Sequence, residues 1–364
     1  SGTNAPARVF GYNVTQFYAG DIHPEAYRNF YLGGTQDNGS LRLNDDDAAI
    51  SKATEVLGGD GFFAHIDQND PNYQLVSLYF ANYGLSTNEG QTFGPGASMN
   101  GNFVSPSDYD DAGKILYSQT NDGDLYRWEI LGEGDPQLMD IEGVDFRVSA
   151  VHVDKNAPNR VYVGNFNGEL YRIDEANVGG SFPANFLNDF NGTISSIYVE
   201  PGNSEHLLVT TSNYGANRIN VFESKDGGET WIDSEGNLPD MPVRGGLFSP
   251  DGSGGAVIAT ELGVWFTEKL EGDETTWLPP TLAGGIPMVR TDMLQLRESD
   301  NVILAITYGR GMFTTDVFAK PKAVLAVEQI AYEGAAVVFD GNASFGAETY
   351  EWDLGDGTVK TDDY

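Results

Sequence analysis

The sequence lacks cysteine altogether and has few basic residues. None of the 364 residues is Cys, which excludes disulfides, zinc–thiolate sites and thiol nucleophiles. Lys and Arg total 20 against 54 Asp and Glu, giving a net charge of −34. Because so negative a surface repels nucleic acid and anionic membranes, we expect neither as a partner.

Long apolar runs and helical periodicity are also missing. No apolar run approaches the roughly 18 residues of a transmembrane helix, so no transmembrane segment is expected. Only residues 45–56, DDDAAISKATEV, are compatible with a turn or two of helix. Walker, Rossmann and nucleophile-elbow motifs are absent. The four histidines, His23, His65, His152 and His206, show no H-x-x-x-H zinc pairing. The first three end predicted inner strands, which indicates a structural use.

What the sequence does contain is a repeat of an apolar strand, a short glycine turn and a second apolar strand. The turn glycines are Gly39, Gly84, Gly123, Gly168, Gly215, Gly263 and Gly311. Their spacings of 45, 39, 45, 47, 48 and 48 residues are those of four-stranded propeller blades. The fold class is therefore all-β, a seven-bladed β-propeller; a fragment of a larger ring is the alternative.

Composition also indicates a location outside the cell. A cysteine-free, acidic chain rich in Gly and Asn is typical of secreted or surface-displayed bacterial proteins. The chain opens at SGTNAP without a signal peptide, as a mature or trimmed product would.

Segment 224–231, SKDGGETW, matches the Asp-box pattern S-x-D-x-G-x-T-W of sialidase-type repeats. In this motif the Asp caps backbone N–H groups of a tight hairpin, Gly supplies a positive φ, and Trp packs between blades. The structural Asp-box residues are Ser224, Asp226, Gly228, Thr230 and Trp231. STNEGQTF (86–93) is a weaker copy, and EGDETTW (271–277) is a remnant.

With GGTQDNGS, GGDGFF, ATELGVW and TYGRGMF, residues 8–317 resemble the Asp-box (BNR) propellers of the sortilin-like and xyloglucanase-like glycoside hydrolase group. The resemblance implies a propeller domain over residues 1–318. It leaves the function open, because such propellers include enzymes, receptors and assembly factors.

A second resemblance covers residues 319–364. Trp352-Asp353-Leu354-Gly355-Asp356-Gly357 resembles the W-D-F-G-D-G hallmark of a PKD domain, an Ig-like sandwich. The expected domain is its N-terminal part, within a longer protein. The pair of domains resembles surface proteins of Bacteroidota-type bacteria, which implies a type IX secretion-system or outer-membrane partner through a further C-terminal region.

Propeller topology places the strand 2–3 turns and the strand 4–1 crossovers on one face, around the channel mouth; we call it the mouth face. Asp37 lies in such a turn and Asp60 in the following crossover, so both acids reach the mouth face of adjacent blades. They are candidates for a Ca²⁺ site or for an acid–base pair acting on a sugar. The alternative is two turn aspartates that each bond their own loop.

The same turns carry amides, acids and aromatic rings, which suit a neutral sugar, although Asn and Gly are also ordinary turn formers. Turn pairs are Asn82-Tyr83, Asn121-Asp122, Phe166-Asn167, Asn213-Tyr214 and Glu261-Leu262. The candidate ligand-binding residues from these turns are Gln36, Asn38, Tyr83, Asn121, Phe166 and Tyr214.

Arginines from several units add a second possibility. A sialidase-like carboxylate clamp uses guanidinium groups from several blades, because each binds a carboxylate in a bidentate manner. Local ion pairing in a very acidic chain is the alternative, and no F/Y-R-I-P motif or Tyr–Glu nucleophile pair is present. The candidates are Arg147, Arg244, Arg290 and Arg310.

These observations favour a binding or scaffold module that engages a glycan or an extracellular protein at the channel mouth. A glycoside hydrolase using Asp37 and Asp60 is one alternative, although xyloglucanase-type enzymes generally need two propellers. A structural stalk or exported cargo segment without a ligand is the other. Ca²⁺ is the one cofactor for which candidate residues exist.

Overall fold

A computed structural model of the chain describes residues 14–44, 53–121, 123–132, 134–142, 147–178, 180–215, 218–280, 286–315 and 317–320. Toward the C-terminus it describes residues 326–327, 339–340, 344, 349–353 and 359–363. The chain forms a seven-bladed β-propeller of four-stranded blades, as the glycine spacing predicted.

The first three blades are antiparallel meanders. Blade 1 contains β1 (Phe17–Ile22), β2 (Phe30–Thr35), β3 (Gly39–Asn44) and β4 (Ala53–Leu57). Blade 2 contains β5 (Gly61–Ile66), β6 (Tyr73–Leu78), β7 (Asn82–Thr87) and β8 (Gly94–Ser98), with a 3₁₀ turn at Tyr79–Ala81. Blade 3 contains β9 (Ser107–Asp110), β10 (Ile115–Gln119), β11 (Leu125–Glu129) and β12 (Gln137–Glu142).

The next two blades repeat the pattern. Blade 4 contains β13 (Val148–Val153), β14 (Val161–Asn165), β15 (Glu169–Ile173) and β17 (Asn185–Asp189). Between its last two strands, β16 (Gly180–Pro183) pairs in parallel with β12 at the edge of blade 3. Blade 5 contains β18 (Ile194–Glu200), β19 (Asn203–Thr211), β20 (Val221–Ser224) and β21 (Ile232–Asp233).

The last two blades have three strands each within the described residues. Blade 6 contains β22 (Val243–Phe248), β23 (Ala256–Thr260) and β24 (Gly263–Thr267), followed by a 3₁₀ turn at Gly272–Glu274. An isolated bridge from Phe266 to Leu278 marks the place of its outer strand. Blade 7 contains β25 (Thr291–Arg297), β26 (Val302–Thr307) and β27 (Gly311–Thr315).

The core lies between blades, because each sheet buries both faces against its neighbours. One cluster joins Leu75 and Tyr83 of blade 2 to Tyr109, Leu116 and Trp128 of blade 3. Burial of such large apolar and aromatic side chains is the main stabilising contribution to the ring.

Residues at the two ends of the propeller close the ring. Gln16 bridges Tyr308, and the N–H of Gly311 donates to the carbonyl of Thr15 at 3.0 Å. Phe17 of blade 1 packs in one cluster with Leu304 of blade 7. The ring is thus complete with seven blades.

Two local predictions are corrected. Residues 53–56 of the segment that is compatible with helix by sequence belong to β4, while residues 45–52 lie outside the described residues. Gly84 does not lie in a turn: it lies inside β7, and the turn of blade 2 is Tyr79–Ala81.

The described residues of the C-terminal region form four short strands. β28 (Ala326–Val327) pairs with β29 (Phe339–Asp340), and β30 (Thr349–Asp353) pairs with β31 (Val359–Asp363). Trp352 and Asp353 of the W-D-x-G-D-G segment lie in β30, and residues 354–358 lie outside the described residues. A PKD domain stays a prediction. No helix among the described residues has the length and apolarity of a membrane crossing.

Candidate functional site

The mouth-face turns follow the glycine prediction in six of seven blades. In these blades the turn glycine has a positive φ, which L side chains adopt only at a cost. The six are Gly39, Gly123, Gly168, Gly215, Gly263 and Gly311. The residues that precede five of these glycines are exposed: Asn38, Asn167, Tyr214, Leu262 and Arg310.

Asp37 and Asp60 come together as the topology predicted, but not as two facing carboxylates. The Asp37 backbone N–H donates to Asp60 Oδ1 at 2.8 Å, so Asp60 caps the turn that contains Asp37. A side chain on Gly61 would meet the Gly39 carbonyl oxygen at 2.7 Å, so glycine lets the crossover pack against the turn. The glycines around these acids therefore shape two braced loops.

The predicted Ca²⁺ site at Asp37 and Asp60 has no third acidic or histidine ligand among the described residues. The described residues contain no group of three or more His, Asp or Glu side chains placed to hold a metal ion. A metal or acid–base role for Asp37 and Asp60 stays a prediction.

Two of the predicted arginines, Arg244 and Arg290, contact the same carboxylate, that of Asp292. Arg290 Nε lies 2.7 Å and Arg244 Nε 3.5 Å from Asp292 Oδ1, and Arg244 also pairs with Glu261. Burial raises the pKa of Asp292, although both arginines oppose that shift. Each guanidinium is therefore neutralised by an acid of this chain.

Aromatic residues continue this network toward Gln36. The Arg290 guanidinium lies 4.5 Å from the ring centroid of Tyr308, whose ring meets Tyr18 edge-on at 5.4 Å. Tyr18 donates its hydroxyl to Gln36 Oε1 at 2.8 Å, and burial raises its pKa to about 12. Gln36, Arg244 and Arg290 thus belong to one connected group.

The other predicted residues are distributed around the rim. The Arg147 guanidinium lies 5.1 Å from the ring centroid of Phe166, which is exposed, as is Tyr214. Asn38 donates to the carbonyl of Gln36 within its own turn at 3.2 Å. Arg310 is exposed beside Tyr308.

Asn121 belongs to a neighbouring pair of loops. It donates through Nδ2 to Asn100 Oδ1 at 3.1 Å. Its turn partner Asp122 lies outside the described residues.

Tyr83 is not at the mouth, contrary to the sequence interpretation. Only 4% of its surface is exposed, and its hydroxyl donates to Ser118 of blade 3 at 2.8 Å. Burial raises its pKa to about 12. Because it lies inside β7 and not in the turn, the ring enters the interface between blades 2 and 3 and cannot stack on a ligand.

The aromatic residues that blade 2 does present were missed. Tyr79 and Phe80 in the 3₁₀ turn and Phe103 in the crossover to blade 3 are 42%, 49% and 41% exposed. The run YFA (79–81) lies at this turn, whereas the glycine that predicts a turn, Gly84, comes three residues after it.

Exposed aromatic side chains concentrate on the mouth face. Seven aromatic side chains of the described residues are exposed, and five of them lie in mouth-face loops. The five are Tyr79, Phe80, Phe103, Phe166 and Tyr214, and the other two are Tyr27 and Phe186.

The central channel holds a cavity of about 860 Å³, which is the size of a small-molecule site. Inner strands and strand 1–2 turns line it, and no strand 2–3 turn contributes. Of the ligand-binding residues predicted from sequence, Arg244 alone lines the cavity. The cavity therefore belongs to the channel and to the face opposite the mouth.

Polar side chains in the channel join each blade to the next. Asp21 accepts the Ile66 N–H at 2.7 Å, and Asp108 accepts the Val153 N–H at 2.8 Å. His152 Nε2 accepts the Val199 N–H at 3.2 Å, which requires a neutral ring. Burial lowers the pKa of His152 to about 4, consistent with that role. These three side chains thus form hydrogen bonds between adjacent blades.

Lys155 reaches into the same channel. Its ammonium lies 2.9 Å from Asp111 Oδ2, and its charge also acts on Asp21. Burial raises the pKa of Asp21 to about 7, although the Ile66 N–H and Lys155 oppose the shift. His65 bonds Ser107 of the next blade at 2.9 Å. Asp21, His65 and Lys155 thus already have partners within the protein.

Segment 224–231 makes the contacts its motif predicts. Asp226 accepts the Thr230 N–H at 2.8 Å, and Ser224 Oγ accepts the Gly228 N–H at 2.9 Å. The Trp231 ring packs edge-on against Phe190 at 4.8 Å, between blades 4 and 5. The Gly227 N–H donates to Glu205 near the strand 1–2 turn, so the hairpin lies opposite the mouth.

Comparisons with known proteins support the fold alone. No protein-family model matches the sequence, and no curated protein matches it. Among solved structures, Raptor from Chaetomium thermophilum is similar, with a TM-score of 0.63 and 11% identity. The match covers 83% of this chain and 28% of the Raptor chain. Membership of the Asp-box group stays a prediction.

Proposed function

We propose that this chain is a binding or scaffold module, secreted or displayed at the cell surface, that engages its partner through the mouth face. The observation that carries the proposal is the concentration of exposed aromatic rings there, five of seven. Large rings left in water on one face are typical of a recognition surface, because their burial by a partner is favourable. The partner would be a glycan or an extracellular protein.

The hydrolase alternative has weaker support. Asp60 already accepts the Asp37 N–H, whereas glycosidases use two carboxyl groups that flank the scissile bond. A sialidase-like clamp would require Arg244 and Arg290 to leave the acids that now neutralise them. The arrangement favours binding over turnover.

Location and wider architecture belong to the same proposal. The acidic, Gly-rich composition with a net charge of −34 suits an extracellular protein. A PKD module after the propeller and a secretion-system or outer-membrane partner belong to the same proposal.

The test is a glycan-array and polysaccharide-hydrolysis screen on the 1–364 protein, with and without Ca²⁺. We expect binding without turnover, weakened about tenfold or more when Phe166 and Tyr214 are both replaced by Ala. Phe186→Ala is the matched control, since that exposed ring lies on the outer strand of blade 4, away from the mouth.

Three results would lead elsewhere. Turnover lost in Asp37→Asn or Asp60→Asn would establish the hydrolase. Equal loss of binding in Phe186→Ala would remove the mouth face. If no glycan binds, and a pull-down then captures no extracellular protein, the result would favour a structural stalk.

A further inference from the structure

We propose that Tyr79, Phe80 and Phe103 form a stacking platform for an uncharged oligosaccharide; we call these three residues the aromatic shelf. The proposal deepens the function proposed above, because the shelf lies on the mouth face. It assigns both a place and a ligand chemistry to that face.

The three rings form one contiguous surface. Tyr79 and Phe103 are nearly parallel, with an interplanar angle of 9° and centroids 6.4 Å apart. Phe80 meets Tyr79 edge-on at 5.5 Å and Phe103 at 5.9 Å. Each ring leaves between two fifths and one half of its surface exposed, so a flat ligand can cover it.

The backbone is strained to present this surface. Phe80 has φ 60° and ψ 35°, and Ala81 has φ 53°, the left-handed region that bulky residues avoid. Strain of this kind persists only where the surroundings hold it, and it concentrates at binding sites. Here the chain has no glycine at the turn, and a phenylalanine is held out into solvent.

Two loops brace each other to hold that conformation. The Phe80 N–H donates to Asn102 at 3.1 Å, the Gly101 N–H donates to Phe80 at 3.3 Å, and the Met99 N–H donates to Ala81 at 3.1 Å. A side chain on Gly101 would meet the Ala81 methyl group at 2.6 Å, so glycine is needed for this contact. The shelf is therefore preorganised, which lowers the entropic cost of binding.

The two segments that form the shelf carry no charged side chain. Charged residues make up 20% of the chain, yet residues 79–82 and 98–106 include none. Amide groups occur instead, from Asn82, Asn100, Asn102 and Asn121. The Asn82 Nδ2 donates to the Tyr79 carbonyl and its Oδ1 accepts from Ser98, which leaves further amide hydrogen-bonding capacity.

This combination specifies the ligand class. A pyranose ring offers an apolar C–H face for an aromatic ring and hydroxyl groups for amides at its edge. A basic protein or an anionic glycan would be recognised by charge, and the shelf provides none. An uncharged oligosaccharide satisfies both the rings and the amides.

Further rings connect the shelf to the channel mouth. Phe103 meets buried Phe62 at 5.2 Å, and Phe62 meets Tyr18 at 5.1 Å. Tyr18 bonds Gln36, which is exposed. Ring packing inside the protein therefore connects the shelf with the group at the channel mouth.

The experiment is titration calorimetry of the 1–364 protein with uncharged hexasaccharides: cello-, xylo-, manno-, laminari-, malto- and chitohexaose. We expect at least one to bind, with the Kd raised about tenfold or more by Phe103→Ala and by Tyr79→Ala. Phe186→Ala should leave the Kd unchanged. Raising NaCl from 20 to 500 mM should also leave it unchanged, because no charged pair forms.

Conservative variants separate binding from folding. Phe103→Tyr keeps a ring and should bind like the unaltered protein, whereas Phe103→Leu keeps an apolar side chain without a ring and should not. Circular dichroism and the thermal midpoint confirm that each variant is folded.

Different outcomes distinguish this inference from the function it deepens. Sugar binding retained in both shelf variants but lost with Phe166 and Tyr214 would overturn the shelf and keep the mouth face. Binding confined to charged glycans or to a protein, with steep salt dependence, would overturn the uncharged class. If no uncharged hexasaccharide binds, the shelf assignment is wrong whatever else the mouth face binds.

Discussion

Asp21, Asp108 and His152 show how single polar side chains hold this ring together. Each lies in an inner strand and accepts a backbone N–H from the inner strand of the next blade. A buried backbone donor left without a partner costs about 1–3 kcal/mol, so these hydrogen bonds stabilise the blade interfaces. Polar residues in the channel are thus part of the scaffold.

Asp21→Asn should change how stability depends on pH. The ordinary pKa of 3.8 is raised to about 7 by burial, so the contribution of Asp21 is fully present below pH about 4 and is lost as the pH rises to about 7. Asn can still accept the Ile66 N–H but has no proton to lose. We expect the variant to gain stability relative to the unaltered protein between pH 4 and 8, as measured by urea denaturation.

The acidic end of that series is the internal control, since Asp21 is protonated there in the folded state. A difference between the two proteins that stays constant from pH 4 to 8 would contradict the raised pKa.

Residue-level prediction from sequence succeeded where the contacts are local. The hydrogen bonds of Ser224 and Asp226 span no more than four residues, so the motif alone specifies them. The burial of Tyr83 was not predictable in the same way. It depends on the strand register, and a one-residue shift moves a side chain to the other face of a sheet.

At the scale of elements, the strand 2–3 turn of blade 2 differs from the other six turns, and it carries two residues of the aromatic shelf. Six turns use glycine at positive φ, whereas blade 2 uses Phe80 and Ala81. The glycine rule therefore located six turns and missed the seventh, where Gly84 lies within a strand. The missed turn is also the one that carries the aromatic shelf.

Phe80→Asn should preserve or increase stability while it weakens ligand binding. Asn tolerates the left-handed region far better than Phe, so relief of strain should add up to about 1 kcal/mol to the free energy of unfolding. Urea denaturation measures the change. Phe103→Asn is the control, because Phe103 is not at a positive φ and its replacement relieves no strain.

A loss of more than about 1 kcal/mol in Phe80→Asn would mean that the ring contributes packing that outweighs the backbone strain. The left-handed turn would then be a cost of folding and not a sign of function.

At the scale of the whole molecule, one buried ion pair fastens the last blade to the first. Arg297 and Asp300 are 3% and 0% exposed and make a bidentate pair at 2.7 and 2.9 Å. Arg297 also donates to the carbonyl of Arg28 at 2.6 Å, and Asp300 accepts the Tyr27 N–H at 2.8 Å. Both residues of blade 7 thus bond the strand 1–2 turn of blade 1.

Asp300→Ala should cost about 3–5 kcal/mol of unfolding free energy, because it leaves the Arg297 guanidinium buried without its partner. Urea denaturation measures the loss, and Lys269→Gln, in an exposed pair with Glu271, should leave the midpoint unchanged. A change in Asp300→Ala no larger than that of the control would show that apolar packing alone closes the ring.

The number of blades was predictable from sequence because it follows from a simple period. The position of the cavity was not, since it depends on which faces of seven inner strands converge. The ion pair between Arg297 and Asp300 could not be predicted from the sequence either. Its partners are about 270 residues away, and no local pattern marks them.

Closure of the ring sets a time order for synthesis of the protein. Blade 1 can form its own sheet early, but its contacts with Leu304 and Asp300 require blade 7, which a ribosome makes after the other six blades. Contacts this distant in sequence form slowly and leave apolar surface uncovered in the meantime. The half-made chain is therefore the form most in need of a chaperone, and it becomes self-sufficient when its seventh blade emerges.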